Sequence, residues 1–458
     1  MIINRERASG LVMELSEQYA KVQNPEFVFP PFELYPLAPK AEHGVDMLKA
    51  VVMDMDGTTT TTEELCLYSL EYMVRKLSAR MTKEEWEGLD HVVDFPHIIG
   101  NSTTKHVEYL IDTYESSIRE EEIYKSFIYA AIWTLTLGKD ENRKEEVKIN
   151  LAKTGIAGKI LSHTYLAKME EADQLDMGYL AHFEEDCKAD FKLDSKSSLV
   201  AVAVDIYYQK YHEILRLISE GKGQQVQLEV FGESGGDKHL IEPMEGIGIL
   251  LPMLRGWLGE DIKYLVPTLI ENYENKSGEK FEHSSVEELT AQLVELSLSF
   301  EKTPAKVGLV TSSIFYEAEI VIKEVFAVVQ KQLQASELPT EKKDFLIEKF
   351  SDYRNIYESF VTASLTHEIR LKPHRDLYSI ALYQLGIAPE DFDKVAGFED
   401  SQSGMVAIRA AGIGLCIAVP FAQSLGHNME AASHICKGGV PEALLKHNLF
   451  TQQTTATV

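Results

Sequence analysis

Four short apolar runs restrict what this chain can fold into: Ala50–Met53 before Asp54, Val307–Val310 before Thr311, Val395–Phe398 before Glu399, and Ile413–Val419 before Pro420. Each is rich in β-branched or small residues and lacks clear in–out alternation, as strands buried on both faces of a parallel sheet require. Helical spacing lies between or after them. The stretch from Pro373 places Leu377, Ile380, Ala381 and Leu385 on one face and stops at Gly386, and Ser403–Ala411 stops at Gly412. Strands alternating with helices predict a doubly wound α/β domain.

The first two runs are separated by the whole interval from Thr58 to Lys306, most of which carries helical periodicity. A capping box, Thr61 with Glu64, opens it. The aromatic and aliphatic stripes of 121–137 and 198–218 read as buried helix faces. The glycine-rich stretch Gly221–His239 reads as a hinge returning to the sheet. Ahead of the first run, helical spacing of Leu11, Leu15, Tyr19 and Val22 precedes a proline-rich strap. The expected organisation is an N-terminal helix and strap over 1–45, a core domain over 46–62 and 240–458 with extra helical insertions near 257–303 and 317–358, and a helical domain over 63–239.

Composition excludes some partners. With 72 acidic against 45 basic side chains the formal charge is −27, which repels a nucleic-acid backbone and an anionic membrane surface. No stretch approaches the ~18 apolar residues of a bilayer span. The four cysteines form no CxxC pair, so a reducing cytoplasm is expected. His212-Glu213 lacks the second histidine of a zinc motif, since Arg216 stands there, and Gly232–His239 lacks the spacing of a phosphate-binding P-loop.

In open parallel sheets, ligands bind beyond the carboxyl ends of the strands. Three of the four runs end there in chemically useful side chains: Asp54 and Asp56; Thr311, Ser312 and Ser313; Glu399 and Asp400. Lys372 precedes a helix. Carboxylates, hydroxyls and an ammonium at one sheet end suit phosphoryl transfer at Mg²⁺. Asp54 is placed to be the nucleophile that becomes an aspartyl phosphate. Asp56, beyond the turn at Gly57, is the acid/base, with no side-chain bond to metal expected. Asp54, the Met55 carbonyl, Glu399 and Asp400 are the expected Mg²⁺ ligands, and Thr311, Ser312 and Lys372 the phosphate-binding groups. Thr60–Thr62 read as loop and helix cap, and His374 as a surface histidine.

Together, Val51–Thr58 (VVMDMDGT), Val307–Ser313 (VGLVTSS), Leu371–Tyr378 (LKPHRDLY) and Val395–Gly412 (VAGFEDSQSGMVAIRAAG) resemble, in order, the motifs of the haloacid dehalogenase (HAD) superfamily, in its β-phosphoglucomutase-like phosphatase branch. The resemblance spans roughly residues 45–65 and 240–425. It implies a Rossmann-like core with a large helical cap domain inserted after the first strand. Asp54 would be nucleophile, Asp56 acid/base, Thr311 and Lys372 phosphate binders, and Glu399 and Asp400 metal ligands. The chain departs from the branch in its longer inserts, in Thr58–Thr62, and in a cap loop where Asn101, Ser102 and Lys105 are the possible substrate contacts. The expected function is a Mg²⁺-dependent phosphatase of a small phosphorylated metabolite such as a sugar phosphate, as monomer or weak dimer. The alternatives are a phosphomutase using the same residues and a non-catalytic binding or regulatory protein.

Overall fold

The computed structural model describes residues 2–24, 28–41, 44, 47–98, 103–231, 239–282, 285–421, 428–447 and 450. Two compact units result, Met1–Thr62 with Ile241–Val458, and Glu63–Leu240.

The first unit begins with a helix, Arg5–Leu15, none of whose residues is buried. It ends earlier than the apolar spacing predicts. Tyr19 and Val22 belong instead to strand β1 (Tyr19–Gln23), which pairs antiparallel with β2 (Phe32–Pro36). The expected strap is therefore a hairpin, and its inward residue Val22 is buried while the helix before it is not.

The main sheet follows: β3 (Ala50–Asp54), β4 (Lys306–Val310), β5 (Ser359–Val361), β6 (Val395–Glu399), β7 (Leu415–Ala418) and β8 (His434–Ile435). Every pairing is parallel, in the order β5-β4-β3-β6-β7-β8. This doubly wound α/β sheet contains all four apolar runs as strands. β5 and β8 were not legible in the sequence, being too short to show a pattern. All five residues of β3 and of β6 are buried, so both sheet faces are covered. On one face Ala50, Val52 and Val310 pack with Leu377, Tyr378 and Ala381 of helix Asp376–Gln384 and with Met405 and Ile408 of helix Gln402–Ala410. Further helices of this unit are Ile247–Leu254, Val266–Ser277, Val286–Lys302, Phe315–Ala335 and Thr340–Lys349.

The topology sets the place of the site. Connections leave β3 toward β4 on one side and β6 lies on the other, so the strand order reverses between β3 and β6. Such a switch point splays the loops apart and opens a crevice at the carboxyl ends. The chain exits this unit after Thr62 and re-enters at Ile241. Outgoing and returning segments pair there, Thr61 N–H donating to Glu242 O (2.9 Å) and Met244 N–H to Thr59 O (3.0 Å). The Thr61 hydroxyl also accepts the Glu242 N–H at 3.0 Å, so it serves this crossing rather than the expected capping box.

The second unit contains no strand among the described residues. Its helices include Glu63–Ser78, Thr103–Tyr114, Glu120–Leu137, Glu141–Lys153 and Lys196–Ser219. Asp140 and Ser195 cap two of them through their side chains. Gly223–Phe231, within the expected hinge, is helical, and 232–238 lie outside the described residues.

Candidate functional site

Parallel register assembles the site. Asp54 lies beside Val310 of β4, and Met53 beside Phe398 of β6, so the next positions along are Asp54 and Glu399. Asp54, Glu399 and Asp400 are buried, with one oxygen from each carboxylate within 4.8 Å of the others. Lys372 reaches them from the loop ahead of helix Asp376–Gln384. Its Nζ bonds Asp54 Oδ1 and lies 2.6 Å from Glu399 Oε1.

Glu399 is held on every side. Oε1 accepts from Lys372 and from the Tyr378 hydroxyl (3.2 Å), and Oε2 accepts the N–H groups of Asp400 and Ser401 (3.0 Å each) and the Ser401 hydroxyl (2.8 Å). A Cβ at residue 404 would stand 1.6 Å from Glu399 Oε1, so only glycine fits. Gly57 answers to two constraints: its φ is +82°, and a Cβ would meet Asp400 Oδ2 at 2.7 Å.

The turn after Asp54 shows which groups are already committed. The Met55 carbonyl accepts the N–H groups of both Thr59 and Thr60 at 2.9 Å. Its lone pairs are thus used within the turn, and the expected metal bond from Met55 is not supported. The Asp56 carbonyl accepts no hydrogen bond among the described residues. The Asp56 carboxylate accepts from Thr62 Oγ1 (2.5 Å), Thr311 Oγ1 (2.9 Å) and Ser313 Oγ (3.2 Å). Thr311 was read as a phosphate binder; in this arrangement its hydroxyl proton is directed to Asp56 and its oxygen accepts the Ser313 N–H. Ser312 is exposed. Sequence reasoning missed Thr62 and Ser313 as partners of Asp56, because their hydroxyls also suit helix and strand ends. Thr58 Oγ1 is buried and has no hydrogen-bond partner among the described residues.

Charge and burial conflict at Asp54. Burial first, then the Glu399 carboxylate, pushes its carboxyl well above the usual range, against the pull of Lys372. Burial works to lower the Lys372 pKa, but the Asp54 and Glu399 carboxylates hold it above the ordinary lysine value. Negative charge at this sheet end thus exceeds what the lysine neutralises.

His374, expected at the surface, is buried against Tyr35 of the hairpin. In the second unit, Lys105 is exposed on helix Thr103–Tyr114, while Asn101 and Ser102 lie outside the described residues. No helix among the described residues is long and apolar enough to cross a membrane.

No family model matches the sequence. No curated protein matches it either. Among solved structures the chain is similar to CbbY from Rhodobacter sphaeroides in complex with phosphate, at 15% identity and a TM-score of 0.34, over 87% of this chain and 99% of that one. It is also similar to a β-phosphoglucomutase from Clostridium difficile (11% identity, TM-score 0.32, 85% of this chain and 90% of that one). A hydrolase from Pseudomonas syringae aligns at 12% identity and a TM-score of 0.32, over 84% of this chain and 92% of that one.

Proposed function

We propose that this chain is a Mg²⁺-dependent phosphatase of the HAD type, acting on a small phosphorylated metabolite through an aspartyl phosphate on Asp54. The observation that carries the reading is the buried carboxylate set of Asp54, Glu399 and Asp400 at the switch point, with Lys372 bonded to two of its members.

The donor set fits the ion. Three buried carboxylates within 4.8 Å of one another are hard oxygen donors whose mutual repulsion a divalent cation relieves. Asp54, Asp400 and, where the ion takes over the oxygen now bonded to Lys372, Glu399 are the candidate ligands, and the Asp56 carbonyl, which accepts no hydrogen bond among the described residues, is a backbone oxygen of the turn able to stand in for Met55. When bound, Mg²⁺ would neutralise charge on the phosphoryl oxygens.

The chain's own groups divide the remaining work. An Asp54 carboxylate oxygen attacks phosphorus in line as the ester P–O bond breaks, and the departing oxygen takes the Asp56 proton. Asp56 then removes a proton from water, whose oxygen attacks the aspartyl phosphate, releasing inorganic phosphate and regenerating Asp54. Lys372 compensates charge on the transferring group and fixes the rotamer of Asp54. The Thr58 hydroxyl, two residues after Asp56 and buried with no hydrogen-bond partner among the described residues, suits a phosphoryl oxygen. The helical unit is assigned the role of cap.

A panel of sugar phosphates, nucleotides and small organophosphates, assayed with Mg²⁺ and with EDTA for both the natural protein and Asp54→Asn, tests this. Metal-dependent release of phosphate that the substitution abolishes is the expected result. Undiminished turnover in Asp54→Asn sinks the mechanism, and an isomerised product without phosphate release identifies a phosphomutase.

A further inference from the structure

We propose that the N-terminal hairpin is a positioning element for Lys372, acting through Tyr35. This inference rests on the role given to Lys372 above.

Lysine is a poor tool unless its backbone is held, because its flexible stem lets the ammonium wander. The segment carrying Lys372 has little regular structure to hold it. It comprises the short turns Ala363–Leu365 and Glu368–Arg370 and the residues leading to Asp376. The hairpin supplies what the segment lacks. Tyr35 Oη lies 2.7 Å from His374 Nδ1 and 2.8 Å from Glu33 Oε2. A carboxylate only accepts, so the phenol proton goes to Glu33 and the His374 Nδ1–H donates to Tyr35. The Glu33 carboxylate also accepts from Arg370 Nη1 (3.2 and 3.3 Å), and Arg370 grips Asp376 through two bonds of 2.8 Å. Lys372 is therefore bracketed by two anchored residues, Arg370 and His374, both tied to strand β2. The Arg375 guanidinium lies 5.7 Å from the centre of the Tyr35 ring and covers the joint.

The hairpin braces the acidic side as well. Tyr35 packs with Val22, Leu37 and Ala410, and with Val406, on helix Gln402–Ala410, which follows Glu399 and Asp400. Buried Arg409 of that helix donates through Nε to Ala38 O (2.9 Å) and through Nη2 to Gln18 Oε1 (2.9 Å). One hairpin thus links the loop bearing the ammonium to the helix behind the carboxylates.

Tyr35→Phe removes the hydroxyl and keeps the ring in its packing, and Glu33→Gln weakens the grip on Arg370 without touching apolar contacts. In each variant kcat on the best phosphomonoester of the panel should fall roughly tenfold, as expected for a misplaced catalytic group. KM should stay within about threefold, since the substrate's other contacts persist. Hydrogen–deuterium exchange should quicken in the peptide covering 366–376 and remain unchanged over β3 and β4. Unchanged kcat in a folded variant overturns the proposal, and so does a loss of kcat accompanied by faster exchange throughout the sheet. Should the natural protein turn over no phosphomonoester, the phosphatase reading fails by itself. The exchange measurement then decides alone, with unchanged exchange over 366–376 overturning the brace and local quickening upholding it.

Discussion

Buried charge is handled in opposite ways in the two units. In the helical unit, Asp205 accepts from Arg143 Nη2 and Asn150 Nδ2 at 2.7 Å each, with Arg143 also lying over the Tyr208 ring at 4.2 Å. Lys210, nearly as buried, lies 2.7 Å from Glu229 and 3.5 Å from Glu213. Charges there meet opposite charges, so the clusters complete themselves. At the end of the parallel sheet, Asp54, Glu399 and Asp400 crowd around Lys372, and burial first, then the Glu399 carboxylate, pushes the Asp54 carboxyl upward, whereas that of Asp205 is raised by burial against the pull of Arg143 and Asn150. A paired buried cluster serves the architecture, whereas several buried carboxylates around one ammonium are what the proposed Mg²⁺ site would use.

Experiments can break that contrast. The largest effect is expected at the carboxylate cluster: Asp54→Asn, nearly isosteric, should keep the fold by circular dichroism and cut phosphatase turnover by about 10⁴-fold or more. Removing divalent metal with EDTA should cost about a hundredfold or more, reversed by added Mg²⁺, because several kcal/mol of charge stabilisation leave with the ion. Metal-indifferent turnover would place the crowded carboxylates outside the chemistry. In the paired cluster the effect should fall on stability. Asp205→Ala leaves the largely buried Arg143 guanidinium with only the exposed Glu146 carboxylate and should cost about 3 kcal/mol in urea unfolding, whereas the joint change of Arg143→Met with Asp205→Leu should cost much less. Equal losses in both variants would show that packing rather than pairing dominates there.

The smallest effect concerns His374. Burial first, then Arg370, lowers its pKa below the ordinary value, against Glu33 and Asp376, which raise it. The unfolded chain therefore takes up the proton before the folded one does. Stability should decline as pH falls below the ordinary histidine pKa of about 6.5 and be insensitive to this group above it. His374→Gln should flatten that decline in urea midpoints measured from pH 7.5 to 5.5, and an identical slope in both proteins would assign the pH dependence elsewhere.

Much of this was visible in the chain before folding, and the misses have physical causes. Strands β3, β4, β6 and β7 announced themselves as apolar runs because a doubly covered parallel strand leaves no position for a polar side chain. Asp54, Asp56, Lys372, Glu399 and Asp400 stood out because polar residues at the ends of such runs have few structural excuses. Strand β5 is three residues long, too short for any period to show. Tyr19 and Val22 fit a helical stripe, yet pairing with β2 takes them into a strand. The Met55 carbonyl looked available because a backbone hydrogen bond is not written in residue identity, and the turn consumed it. His374 looked exposed because its partner, Tyr35, is remote in the chain.

The sequence by itself determined the parallel α/β class and the residues that arrive at its strand ends, since both follow from local pattern and from chain order. Only the tertiary structure decided which of those groups are free to act. It committed Met55 to a turn, directed Thr62, Thr311 and Ser313 onto Asp56, and brought the hairpin against the Lys372 loop. Hydrogen-bond commitment is a property of distance and direction, which residues far apart in the chain acquire only when the fold brings them together.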